Sequence, residues 1–238
     1  MQNKTILENP IRKLELPKKW TNNGFISSKI VSINENMGFD IDLQYPKMKF
    51  KNAVKTCFVR EEVLERLIIA QGLLPKGYKY KIYDTWRPIK LQEELYENYT
   101  SLLAEKYDLE SLSEDEREEF LSGFISPPVH ERTNPPVHTT GGAIDLTIVD
   151  PNGNELDMGT AFDEFTDKTH TAYFENTKEK DIIYNRRMLY NSMTKAGFTN
   201  LPSEWWHYDY GDKFWAYYNK TNTLYTGLFT KEELKYEK

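Results

Sequence analysis

One cysteine in 238 residues, Cys57, excludes a disulfide framework and a thiolate cluster around a metal. Histidine is nearly as scarce, with four copies at His130, His138, His170 and His207, so a histidine-based site can be assembled in few ways. No apolar run reaches the length of a membrane span, and the first twenty residues lack an apolar stretch of signal-peptide length. Positive charge is also short. The 31 Lys and Arg are outnumbered by 37 Asp and Glu, and no basic stripe offers the electrostatic footprint of a nucleic-acid binder. What the chain does have is apolar and aromatic mass, including 16 Tyr and 5 Trp, which is ample for a buried core. These features predict a globular, cytoplasmic protein that engages neither nucleic acid nor membrane.

Residues 1–37 are polar, interrupted by Pro10 and Pro17, and read as an arm packed on a single domain spanning 38–238. Alternation predicts strands over 38–43, 78–83 and 142–149, and an aromatic strand over 205–210. Helical spacing covers 61–74, where Val63, Leu64, Leu67 and Ile68 share a face, then 88–107 behind Pro88, and 179–196 up to Gly197. Ser113 and Glu116 are spaced as a capping box at the start of an acidic helix. Helices and strands mix without a regular βαβ rhythm, so the expected class is α+β, with a small, mainly antiparallel sheet flanked by helices and a cleft on the sheet.

The chemistry concentrates around two of the four histidines. His138 is followed by Thr-Thr-Gly-Gly-Ala-Ile-Asp145, in which two glycines permit a tight turn into a strand carrying a carboxylate. His207 stands in Glu204-Trp-Trp-His207, between rings that exclude water. Two imidazoles and one carboxylate form a recurrent catalytic zinc set that leaves a fourth position open, and Glu204 is then the candidate base. Residues three apart on a straight strand face opposite sides, so Glu204 must sit on a bend before the strand, which Pro202-Ser203 supplies. Arg87, in Asp84-Thr-Trp-Arg87-Pro88 at a strand-to-helix corner, suits either a surface ion pair or a donor to an oxygen gaining charge. A lone histidine is more often a hydrogen-bonded structural residue than a ligand, and it is the surroundings of His138 and His207 that set these two apart.

Three separated segments together resemble the VanX-type D-alanyl-D-alanine dipeptidases, zinc metallopeptidases grouped with D-Ala-D-Ala carboxypeptidases and the hedgehog signalling domain. They are Tyr83-Asp-Thr-Trp-Arg-Pro88, His138-Thr-Thr-Gly-Gly-Ala-Ile-Asp-Leu-Thr147 and Glu204-Trp-Trp-His-Tyr208. Met158-Gly-Thr-Ala-Phe-Asp-Glu-Phe165 and Asn185-Arg-Arg187 support them, in family order. The resemblance implies one zinc ion held by His138, Asp145 and His207, with Glu204 as base and Arg87 stabilising the oxyanion. It further implies that Asp163 receives the substrate ammonium and that Tyr45 contacts substrate. No role is carried over to His130 or His170. Pro136 and Thr140 stand where the family commonly has serine and arginine, so a hydroxyl and a guanidinium are missing beside the metal set. The segment 107–133 is longer and more acidic than the family pattern.

The implied activity is hydrolysis of a small free dipeptide, D-alanyl-D-alanine, to two amino acids. The alternatives are a D,D-carboxypeptidase or endopeptidase on cell-wall peptides, or a non-catalytic zinc-containing binding domain.

Overall fold

A computed structural model describes residues 6–235 of the chain. Its strands are β1 (Ile30–Ile33), β2 (Asp40–Ile41), β3 (Cys57–Arg60), β4 (Lys79–Asp84), β5 (Ala143–Val149), β6 (Thr199–Asn200) and β7 (His207–Asp209). The α-helices are α1 (Gln44–Lys47), α2 (Glu61–Leu73), α3 (Ile89–Lys106), α4 (Glu114–Ser122), α5 (Lys180–Lys195) and α6 (Lys213–Asn219). Five strands form one sheet in the order β2-β4-β5-β7-β6, antiparallel except for the β2–β4 pair, and β1 pairs with β3 in a separate antiparallel ribbon. This is the expected α+β arrangement.

The central strand β5, Ala-Ile-Asp-Leu-Thr-Ile-Val, is buried along its whole length. Alternation turns Ile144, Leu146 and Ile148 toward α2 and α5, where they meet Val63, Leu67, Met188 and Met193 in the main core. Burying each such side chain is worth about 1.5–3 kcal/mol, so this face fixes how the sheet sits on its helices. Asp145 and Thr147 point to the opposite face. On β7, Tyr208 pairs with Ile144 toward the core and His207 pairs with Asp145 on the other side.

Strand β4 adds a third polar residue to that second face through an irregularity. Ile82 pairs with Leu146, but Asp84 pairs with Asp145, because one extra residue, Tyr83, is accommodated between them. Without this bulge, alternation would leave Asp84 on the same side as Ile82; the bulge re-aims it beside Asp145.

Helix α2 buries Val63, Leu67 and Ala70 and ends where Leu74 turns extended before Pro75. The capping box of α4 forms: the Glu116 amide donates to Ser113 Oγ, and the Ser113 amide donates to Glu116 Oε2 at 2.9 Å. Helix α5 ends before Gly197, whose φ of 100° is left-handed.

Two predicted strands are shorter than expected. The 38–43 strand contracts to β2 because Gly38 takes φ 89° and Leu43 turns into α1. The aromatic strand begins only at His207, since Trp205 and Trp206 belong to the bend before it. Within the stretch read as an arm, Ile30–Ile33 is a strand, while Trp20 Nε1 donates to the Thr221 carbonyl at 2.7 Å. No helix among the described residues is long and apolar enough to cross a membrane.

Candidate metal centre and substrate cleft

His138 sits on a short 3-10 turn, Val137–Thr140, leading into β5. The glycine pair that follows is required by space as well as by dihedral angle. Gly141 has φ 75°, and a Cβ on Gly142 would lie 2.6 Å from the Tyr210 carbonyl oxygen. This close approach returns the chain so that His138 faces Asp145 and His207. His138 Nε2 lies 3.2 Å from His207 Nδ1 and 3.4 Å from Asp145 Oδ2, and His207 Nδ1 lies 2.9 Å from Asp145 Oδ1. All three residues are buried. Among the described residues this is the one cluster of His, Cys, Asp and Glu side chains converging closely enough to hold a metal ion.

The outer nitrogens set which atoms are free. His138 Nδ1 lies 2.8 Å from the Thr85 carbonyl, and His207 Nε2 lies 2.8 Å from Asp209 Oδ1. Donation at these positions assigns the tautomers and leaves His138 Nε2, His207 Nδ1 and Asp145 facing one another. Two neutral imidazole lone pairs 3.2 Å apart repel unless a cation or proton stands between them. In the chain alone that need shows in the ionisation. Burial opposes charge on His207, but Asp209 and Asp145 on its two nitrogens draw its pKa well above the usual value. Burial likewise opposes charge on Asp145, yet His138 and His207 hold it far below the carboxylate range. A nitrogen, nitrogen, oxygen donor set of this kind fits zinc with one coordination position open.

Four further expected residues surround the cluster. Glu204 sits on the bend before β7, where Asn200 Nδ2 donates at 2.9 Å to the carbonyls of both Glu204 and His207. This brings Glu204 Oε2 to 3.9 Å from His207 Nδ1, and burial pushes its carboxyl up to about 8. A divalent cation alongside acts in the opposite sense, favouring the charged carboxylate. Arg87 is buried rather than a surface ion-pair former. Its Nε donates to Asp84 Oδ2 at 3.0 Å, Nη1 to Gln92 Oε1 at 2.8 Å and Nη2 to Tyr45 Oη at 3.3 Å. Burial works against the guanidinium charge, but Tyr45, Asp84, Asp145 and Asp163 around it hold the charged form firmly.

Asp163 lies across the cleft with a left-handed φ of 54°, uncommon for a residue with a Cβ. Its Oδ2 accepts from Tyr99 Oη at 2.7 Å and Tyr45 Oη at 3.1 Å, and burial raises its carboxyl to about 7. The cleft enclosed by these groups is small, with a cavity volume of about 50 Å³.

The structure brings His138, Asp145, His207, Glu204, Arg87, Asp163 and Tyr45 to one cleft. It keeps the other two histidines away: His130 is exposed and paired with Glu93, and His170 is exposed with Nδ1 on the Asp167 carbonyl. Pro136 lines the cleft, but Thr140 does not, because its hydroxyl donates to the Val137 carbonyl and accepts from the Gly142 amide.

Sequence reasoning passed over Asp209, Asp84, Gln92 and Tyr99. Asp209 carried a signal, since His-x-Asp on a strand places both side chains on one face. It is fully buried and has Asp212 beside it, whose carboxyl is pushed well up by burial and by Asp209. Gln92, Leu95 and Tyr99 follow helical spacing on the inward side of α3.

A family model described as D-ala-D-ala dipeptidase, of the peptidases, matches residues 45–226. The D-alanyl-D-alanine dipeptidase of Synechocystis sp. is 29% identical over 180 residues, covering 68% of this chain and 73% of that protein. The D-alanyl-D-alanine dipeptidase of Escherichia coli is 44% identical over 72 residues, covering 30% of this chain and 36% of that protein. Among solved structures, the vancomycin-resistance D,D-pentapeptidase VanY with Zn(II) overlaps at a TM-score of 0.40 and 12% identity, covering 78% of this chain and 88% of that one.

Proposed function

The chain belongs to the D-ala-D-ala dipeptidase family of peptidases, and from that premise we propose that it is a zinc-dependent dipeptidase hydrolysing free D-alanyl-D-alanine to two alanines. The observation that supports this most is the convergence, in one cleft, of a buried His138–Asp145–His207 set with Glu204, Arg87 and Asp163. A purely structural metal site needs none of the last three.

His138 Nε2, His207 Nδ1 and Asp145 would hold the zinc, which when bound supplies Lewis acidity and lowers the pKa of its water toward about 7. Glu204 accepts the proton of the attacking water as the new C–O bond forms. It then delivers that proton to the amine nitrogen as the C–N bond breaks. Arg87 retains an unused Nη1 hydrogen after its bonds to Asp84, Gln92 and Tyr45, and directs it to the carbonyl oxygen as charge builds there. Asp163, oriented by the hydroxyls of Tyr45 and Tyr99, receives the ammonium of the first residue. An ammonium beside Asp163 draws its carboxyl back toward the charged form. The cytoplasmic setting expected from the sequence belongs to the same proposal.

The test is release of free alanine from D-Ala-D-Ala and L-Ala-L-Ala by zinc-loaded protein. Fast release from the D,D substrate alone supports the reading. Zinc binding with no release from either would overturn it in favour of a longer substrate or a binding role.

Asp209 is assigned the orientation of His207. Replacing it with asparagine lets the side-chain amide face Nε2 with either end and removes the charge that keeps the metal-facing nitrogen basic. Asp209→Asn is expected to weaken zinc affinity about 10–100-fold, measured by competition with a chromogenic chelator. Unchanged affinity would remove Asp209 from the metal site's support.

A further inference from the structure

Gln92 has both ends of its amide engaged. It is 1% exposed, on the first turn of α3, and makes two hydrogen bonds to separate parts of the cleft. Its Oε1 accepts from Arg87 Nη1 at 2.8 Å, and its Nε2 donates to the Ser126 carbonyl at 2.7 Å. The amide cannot be reversed. Flipping it would set NH₂ against a guanidinium and carbonyl against carbonyl.

Ser126 ends a short stretch, Phe124–Ser126, that leaves α4 and forms one wall of the cleft. Ile125 packs with Tyr45, Leu91, Leu95 and Tyr99, and Phe124 sets its ring edge-on to Phe165 at 5.8 Å. Tyr45 and Tyr99 are the two hydroxyls on Asp163. Phe124 and Asp163 also line a small hollow adjoining the cleft. The stretch therefore covers the Asp163 end, where any residue preceding the substrate's first amino group would have to pass.

We infer that Gln92 is a positioning and specificity-determining residue that latches the Phe124–Ser126 wall to Arg87, so that the arginine is in register only when the cleft is closed to N-terminally extended peptides. The inference rests on the dipeptidase reading and adds to it the device that separates dipeptidase from carboxypeptidase behaviour. The two functions of the amide are separable by substitution. In Gln92→Glu the carboxylate still accepts from Arg87 but cannot donate to Ser126, and it repels that carbonyl. In Gln92→Met both bonds are lost at similar volume without new charge.

The experiment measures kcat and KM for D-Ala-D-Ala and for the tripeptide L-Lys-D-Ala-D-Ala on zinc-loaded wild type and both variants. Limited trypsin cleavage at Arg117 and Arg132 reads release of the wall. In Gln92→Glu the ratio of tripeptide to dipeptide kcat/KM is expected to rise about tenfold, the effect of one buried hydrogen bond, with faster cleavage at those arginines and unchanged zinc content. In Gln92→Met, dipeptide kcat is expected to fall about tenfold with KM little changed, and the ratio to rise as well. A merely structural role would depress both substrates together and leave the ratio fixed; that result overturns the inference. Should the charged variant not fold, the Gln92→Met ratio decides alone. Wild type inactive on the dipeptide would instead overturn the dipeptidase reading, which keeps the two failures distinct.

Discussion

Glu204→Gln is expected to lower kcat on D-Ala-D-Ala by about 10²–10⁴-fold while zinc content stays at one per chain, the range for loss of a positioned general base. Glutamine keeps the shape of the side chain and any hydrogen bond it accepts, so the bend built on Asn200 and the carbonyls of Glu204 and His207 is preserved. What disappears is the capacity to take a proton and return it. The loss belongs in kcat, with KM nearly unchanged, because the amide still fills the same wall of the cleft. Metal analysis on the same preparation separates this from damage to His207, the proposed ligand three residues away. Near-normal kcat with full zinc would show that the proton is moved by another group.

Arg87→Ala is expected to cost about 10²–10³-fold in kcat/KM, the effect of removing one oxyanion donor. Its consequences extend further than those of Glu204, because four partners depend on the guanidinium. Asp84 Oδ2, Gln92 Oε1 and the Tyr45 hydroxyl lose a donor, and Asp145 loses a cation at 3.7 Å. Breaking a buried ion pair in this way typically destabilises a protein by about 3–5 kcal/mol. Urea unfolding therefore accompanies the kinetics. Arg87→Lys is the sharper variant: a single ammonium cannot reproduce donation from Nε, Nη1 and Nη2 to three separate acceptors. It is expected to restore part of the stability and little of the rate. Full recovery of rate by lysine would mean that only charge, not the fork of donors, matters at this position.

The parts of the molecule that were legible in the sequence are those whose geometry is local. His138 and Asp145 are joined by a two-glycine turn and a strand, and Glu204 and His207 by a bend, so type and spacing nearly specify their placement. The capping box of α4 and the glycine after α5 are local in the same sense. What was not legible depends on distant chain segments. The ribbon of Ile30–Ile33 with Cys57–Arg60 joins two four-residue strands whose pairing no local pattern announces. Gln92 and Tyr99 read as ordinary helix residues until Ser126, Arg87 and Asp163 come in from elsewhere. Thr140 was expected beside the substrate in place of a family arginine. Its short hydroxyl closes its own turn instead, which leaves Pro136 as the substitution that faces the cleft.

The pairing of Asp145 directly opposite His207, with Asp84 brought alongside by a one-residue bulge, makes the site a gauge of strand alignment. A slip of a single residue between β5 and β7 would send His207 to the helix-covered side and leave Asp145 facing Tyr208. The three side chains therefore converge in only one alignment of the two strands. Occupancy at a hundred times the dissociation constant favours that alignment by about 2.7 kcal/mol. Metal binding and the native register of β5 and β7 are therefore thermodynamically linked, each favouring the other.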